Sequence, residues 1–158
     1  MEKPDDISGK LVDRRTVLWH AGEDFAAAML EGNGYTIVER NWRAGRYEID
    51  IIALDKQKVI VFVEIKTRIT SAEPGVSMYG LESITHTKRQ KLVVAANIYL
   101  HDNNLLDRGG RLDVIVVNYK RRQNLHPIDA ADLQFMKKHS LLESLEDPVA
   151  THIKQAFC

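Results

Sequence analysis

Residues 47–68 read YEIDIIALDKQKVIVFVEIKTR. Two runs rich in Ile, Val and Phe, 48–54 and 59–66, flank the polar turn Asp55-Lys56-Gln57-Lys58. They are expected to pair as an antiparallel hairpin, and without a glycine the turn type stays open. Side chains alternate along a strand. In the second run Val61, Val63 and Ile65 point one way, and Ile60, Phe62, Glu64 and Lys66 the other. Both faces are apolar where that run begins, which marks a central strand buried on both sides. Glu64 and Lys66 then share one face at its end. Glu48 and Asp50 share a face of the first run. A three-residue turn would set Asp50 opposite Glu64 and Glu48 opposite Lys66, a register that parity allows without requiring.

Burying a carboxylate and an ammonium is unfavourable unless they find partners. Two carboxylates side by side each resist ionising, and a hard divalent cation resolves that conflict with oxygen ligands. Such a cation can activate a water and shield a phosphate, while a neighbouring lysine orients the water or stabilises developing charge. The reaction class that suits this set is phosphodiester hydrolysis. The alternative is a salt-bridged strand end in which Lys66 only neutralises Glu64, and the residues by themselves leave both readings open.

Outward from the hairpin, residues 16–31 read as a helix with Leu18, Phe25 and Met29 on its apolar stripe. Gly32-Asn33-Gly34 is expected to end it through the left-handed conformation that glycine and asparagine tolerate. Residues 35–40 predict a short strand, and 69–82, with Pro74, Gly75 and Gly80, a loop that moves when substrate binds. Residues 85–101 predict an amphipathic helix with Leu92, Ala95, Ala96, Tyr99 and Leu100 inward. Residues 111–118 predict a further strand. The order of helices and strands implies an α/β fold, a mixed β-sheet flanked by helices.

The whole chain of 158 residues fits a single domain, with 1–15 expected as a mobile tail. Its lone cysteine, Cys158, excludes a disulfide framework and a zinc cluster, and the six histidines have no paired spacing. No segment is long and apolar enough to span a bilayer, and MEKPDDISGK lacks an apolar signal core, so no membrane association and a cytoplasmic setting are expected. With 22 basic and 22 acidic residues, a phosphate-binding surface must be local or completed by a metal ion or second subunit.

Asp50 followed by Glu64-Ile65-Lys66 resembles the D…(D/E)-x-K signature of the PD-(D/E)xK nucleases. The wider string is similar to the YraN family, bacterial proteins predicted to be endonucleases related to Holliday-junction resolvases. The residues that carry this likeness are Gly22-Glu23, Gly34-Tyr35, Arg40-Asn41, residues 47–53 and 61–68, Lys88, Lys91, residues 111–114, and His152 through Phe157. The family usually has glycine where Tyr47 stands, and residues 123–148 read as an insertion before the closing motif.

The resemblance implies a restriction-endonuclease-like fold and a Mg2+- or Mn2+-dependent nuclease. Its metal ligands would be Asp50, Glu64 and the backbone carbonyl of Ile65, with Lys66 as the catalytic lysine. Glu23 would help order a metal-bound water, and Glu48 would assist. Lys88, Arg89 and Lys91, at the start of the second helix, read either as a solvated basic face or as phosphate contacts, because cations there oppose the helix dipole unless an anion is bound, and the resemblance at Lys88 favours phosphate. Arg111 and Asp113 read as a structural ion pair, and Trp19 and Trp42 as packing residues. The partner implied is nucleic acid, DNA in the first place, branched or damaged, and symmetric cutting would call for a homodimer. The alternatives are a catalytically inactive nucleic-acid-binding or repair-accessory protein, and a protein-interaction module that docks through 123–148.

Overall fold

The computed structural model describes residues 12–70, 84–122, 135–136 and 138–156. The first strand, β1 (Val12–Asp13), leads into α1 (Arg14–Gly32), whose first turn is capped by the Asp13 carboxylate accepting from Arg15 N at 3.1 Å. Residues 12–15 of the expected tail therefore belong to regular elements, and 1–11 lie outside the described residues. α1 ends differently from expectation. Asn33 caps it at φ −90° with its side chain donating to Met29 O, and only Gly34 takes the left-handed conformation, at φ +83°.

Strand β2 (Thr36–Ala44) turns back into β3 (Tyr47–Leu54), which pairs with β4 (Ile60–Ile69). Then come α2 (His86–Asp102), β5 (Arg111–Tyr119), β6 (Phe135–Met136), α3 (Lys138–Glu143) and β7 (Val149–Ile153). The main sheet runs β2-β3-β4-β5-β7, with β4 and β5 parallel and its other neighbours antiparallel. A mixed sheet with helices on it is the α/β fold expected. β4 is central, as its two apolar faces require.

β2 runs four residues past its expected end. It is an edge strand with a bulge between Ile37 and Glu39 and a positive φ at Asn41, features that let polar residues continue a strand. β7 was not expected at all. Its five residues are too few to show a period, and pairing with β5 is what makes them a strand. Of the segment read as an insertion, residues 123–134 lie outside the described residues. Of its described residues, β6 pairs with β1 and Leu145 is buried in the α1-side core. The expected loop at 69–82 falls outside the described residues beyond Thr70.

The two helices cover opposite faces of the sheet. On one, Ala26, Ala27 and Leu30 of α1 pack on Ile51, Val61, Val63, Ile65, Ile115 and Val117. On the other, Ala95, Ala96, Tyr99 and Leu100 of α2 pack on Ile49, Ile52, Ile60 and Phe62, the inward set expected for that helix. The α1 contact is made by two small residues and Leu30, with Leu18, Phe25 and Met29 only partly buried around it. Small residues let the helix approach closely. A Cβ on Gly22 would stand 1.8 Å from Thr67 Oγ1 and 2.9 Å from Thr67 Cβ. Thr67 is short and β-branched, so it cannot swing clear. Gly22→Ala is expected to destabilise the protein by about 1–3 kcal/mol in spite of alanine's better helix propensity. A urea midpoint at or above that of the natural sequence would refute this.

Candidate functional site

The site begins where the β3–β4 ladder stops. Asp55 N bonds to Val59 O at 3.1 Å, closing a three-residue loop in which Lys58 takes φ +65° and the Asp55 carboxylate accepts from Gln57 N and Val59 N, each at 2.9 Å. The register runs from Leu54–Ile60 to Ile51–Val63 and no further. Counting from the hydrogen-bonded Asp55–Val59 pair, the next such rung would join Ile49 and Ile65. Instead Ile65 N donates to Asp50 Oδ2 at 2.7 Å. The Asp50 side chain has taken the place of the Ile49 carbonyl, and the strands part around it. In a strand, N–H and C=O of one residue of such a rung point to the same neighbour. The Ile65 carbonyl therefore points to the same side, toward β3.

The ladder stops one step short of Asp50 and Glu64, which stand near enough for their charges to interact. Both are buried, with relative exposures of 7% and 3%. Glu48 does not continue the pattern. Once β3 leaves β4, Ile49 turns to the α2-side core while Ile51 stays on the α1 side. Glu48 then meets Lys88 Nζ at 3.6 Å and Arg43 Nη2 at 3.2 Å rather than Lys66. Lys66 Nζ donates to Glu64 Oε1 at 2.6 Å. Lys88 reaches in from the first turn of α2, where Thr85 Oγ1 accepts from Lys88 N, and stands 3.2 Å from Glu64 Oε2. The sequence put Lys88 with Arg89 and Lys91 as a solvated basic face or as phosphate contacts, and the structure separates the three. Lys88 lines the cleft, Arg89 Nε donates to Ile84 O, and Lys91 is exposed.

Charge in the site is unbalanced on the carboxylate side. Burial, and then the neighbouring charge of Glu64, push Asp50 up from 3.8 to about 7, against the opposing pull of Ile65 N–H and Lys88. Burial alone would lower Lys88, but Glu64, Asp50 and Glu48 outweigh it and raise its pKa, keeping the ammonium charged. Between about pH 4 and 7 the folded protein holds an Asp50 proton that the unfolded chain has released, so this group subtracts stability as pH rises through that window. Asp50→Asn is therefore expected to raise the melting temperature of metal-free protein at high pH by on the order of 5–10 °C, and to change it little near pH 4. A gain of equal size at both ends would show that the charge is not its source.

Glu23 sits behind the cleft on α1, fully buried. Its Oε2 accepts from Asn41 Nδ2 at 3.1 Å, with Arg40 4.0 Å away, and burial raises its pKa. Its Oε1 makes no hydrogen bond, while Glu64 Oε2 is paired with Lys88 at 3.2 Å. Asp50 and Glu64, two buried carboxylates that line the cleft together, are the hard donors that Mg2+ or Mn2+ takes. Among the described residues no group of three or more His, Cys, Asp or Glu gathers in metal-binding fashion. A cation would thus rest on two side chains, the remaining positions falling to water and substrate oxygens.

The cleft has a volume of about 360 Å³. Glu48, Asp50, Glu64, Ile65, Lys66, Thr67 and Lys88 line it, together with Arg15, Leu18 and Trp19 of α1. Trp19, read from the sequence as packing, belongs instead to this wall. The signal was present, since Arg15, Trp19 and Glu23 recur every four residues and so share one helix face. Trp42 does pack, edge-on to Tyr99 with centroids 5.6 Å apart. Arg111 and Asp113 stand apart from the cleft, in a network with Asp55, Tyr35 and His152 that confirms the structural reading.

Among the described residues no helix is long and apolar enough to cross a membrane. Compared with known proteins, residues 22–117 match the sequence profile of the Uncharacterised protein family UPF0102. A UPF0102 protein of Nitratidesulfovibrio vulgaris (strain DP4) is 39% identical over 125 residues, 78% of this chain and 90% of the relative. Those of Clostridium perfringens (strain 13) and Chloroflexus aurantiacus are 38% and 44% identical, over 62% and 63% of this chain and 76% and 78% of theirs. A solved structure of Pyrococcus furiosus SfsA in complex with Ca2+ covers 70% of this chain and 62% of its own at 16% identity. Its TM-score of 0.30 is too low to carry structural detail across.

Proposed function

The chain belongs to the UPF0102 family, the YraN-like family its sequence resembles, and from that premise we propose that it is a Mg2+- or Mn2+-dependent endonuclease hydrolysing DNA phosphodiester bonds, on branched or damaged DNA. The observation that carries this reading is the replacement of the Ile49–Ile65 rung by the Asp50 carboxylate. A fold gives up a central ladder bond and buries two neighbouring acids only against a compensating gain, and cation binding is one that fits the donors.

Asp50, Glu64 and the Ile65 carbonyl would hold the cation. When bound it would lower the pKa of a water and offset phosphate charge. Lys66, at the cleft rim and hydrogen-bonded to Glu64, orients the attacking water and meets charge that develops on the phosphate. Lys88 pairs with Glu64 at 3.2 Å and would give the substrate's phosphate a second cation nearby. Glu23, buried on α1 with one oxygen unpartnered, would help order water in the site. A homodimer would supply two such clefts for symmetric cutting, and sedimentation with and without a four-way junction tests that part separately.

The 2.6 Å Lys66–Glu64 pair also favours a second reading, an inactive nucleic-acid-binding protein in which the lysine only neutralises the acid. Labelled duplex, flap, four-way junction and single strand, incubated with Mg2+ and with Mn2+, separate the two. Metal-dependent cleavage of any of them supports the enzyme. Binding without cleavage of any, at either metal, leaves the second reading.

A further inference from the structure

The α1 wall of the cleft has a different chemistry from its floor. Trp19 is half-buried, yet it belongs to none of the three apolar clusters among the described residues. Its ring lies 4.7 Å from that of His20, which is exposed, and with Leu18 it lines the same cleft as Asp50, Glu64 and Lys66. Arg15, one turn earlier and exposed, stands at that wall as well. A large aromatic ring left out of the core and facing an acidic, lysine-rimmed cleft is a stacking surface. The 360 Å³ space admits a single small group such as one base, whereas a base held in its duplex cannot enter.

Resting on the nuclease reading of this cleft, we infer that Trp19 stacks one unpaired base of a DNA strand whose phosphate faces Asp50, Glu64 and Lys66. Arg15 then meets a neighbouring phosphate of the same strand. Every base offers a π-face, so the platform selects unpaired nucleotides without selecting sequence. Flaps, junction crossovers and single strands would therefore be favoured over continuous duplex.

The test uses Lys66→Ala protein so that strands stay intact, with a labelled oligodeoxythymidylate and a blunt duplex compared by fluorescence anisotropy. Adding Trp19→Ala is expected to weaken strand binding roughly 5- to 100-fold and duplex binding by less than about twofold, with Trp19→Phe restoring most of the loss. Equal losses on strand and duplex, no loss, or a phenylalanine variant as weak as alanine would overturn the inference. If Trp19→Ala does not fold, Trp42→Phe leaves Trp19 as the one tryptophan of the two in the sequence. Its emission must then be quenched by the strand and not by the duplex, and unquenched emission would equally overturn the inference. Trp19-dependent strand binding without metal-dependent cleavage would remove the nuclease reading alone. Cleavage whose strand-to-duplex preference survives Trp19→Ala would remove this inference alone.

Discussion

Lys66→Ala is expected to lower metal-dependent DNA cleavage by about 10²- to 10⁴-fold while the protein stays folded and still binds DNA. The lysine is the right residue to remove because its side chain is 31% exposed at the cleft rim, so no cavity is left behind. Glu64, 3% exposed, keeps Lys88 at 3.2 Å and is not stranded without a cation. The loss should appear with both Mg2+ and Mn2+ and should not be relieved by raising either, because the lysine acts on water and phosphate rather than holding the ion. Glu64→Gln should lose as much, but with weakened metal dependence. Cleavage by wild type and Lys66→Ala at the same rate would assign the activity to a contaminant and leave the binding protein.

How much of this was visible in the sequence differs from residue to residue. Alternation named β3 and β4, and the two-sided apolar start of β4 placed it at the centre. The nearness of Asp50 and Glu64 followed from parity once a three-residue turn was assumed, and Lys58 supplied that turn without a glycine. The parting of the strands was not visible, because it depends on a side chain competing with a backbone carbonyl for one N–H, and no periodicity records such a competition. For the same reason Glu48 was placed on Lys66 when it meets Lys88 and Arg43. Lys88 was read as a phosphate contact from its place at a helix start. Its partner, Glu64, became visible only when the sheet brought 24 residues of separation to 3.2 Å. β7 was missed because five residues paired across a long interval have no local signature.

Asp113→Ala is expected to be strongly destabilising, by about 3–5 kcal/mol, because Arg111, His152 and the Gln155 N–H all lose their buried acceptor. Asp113 is 1% exposed and collects bonds from Arg111, two residues before it, and from His152 and Gln155 of one distant segment. Arg111 Nε reaches it at 3.1 Å, His152 Nε2 lies at 2.8 Å, and Gln155 N donates at 3.0 Å. Arg111 in turn holds Asp55 in the β3–β4 turn and the Tyr35 hydroxyl after α1. One carboxylate thus ties the edge strand β7, the hairpin turn and the end of α1 to the start of β5. Burial by itself would raise the pKa of Asp113, but His152, the Gln155 N–H and Arg111 outweigh it and hold it below 3.8. With the folded pKa depressed, the stabilisation is complete above about pH 4 and is lost as pH falls through the folded value. Asp113→Ala should therefore melt well below the natural sequence at neutral pH, and the gap should narrow in acid. Asp113→Asn, which keeps the size and two polar atoms but not the charge, should recover only part of it. A gap that is the same at pH 7 and in strong acid would mean that the lost packing, not the lost charge, separates the variants, and the network would then be a matter of shape.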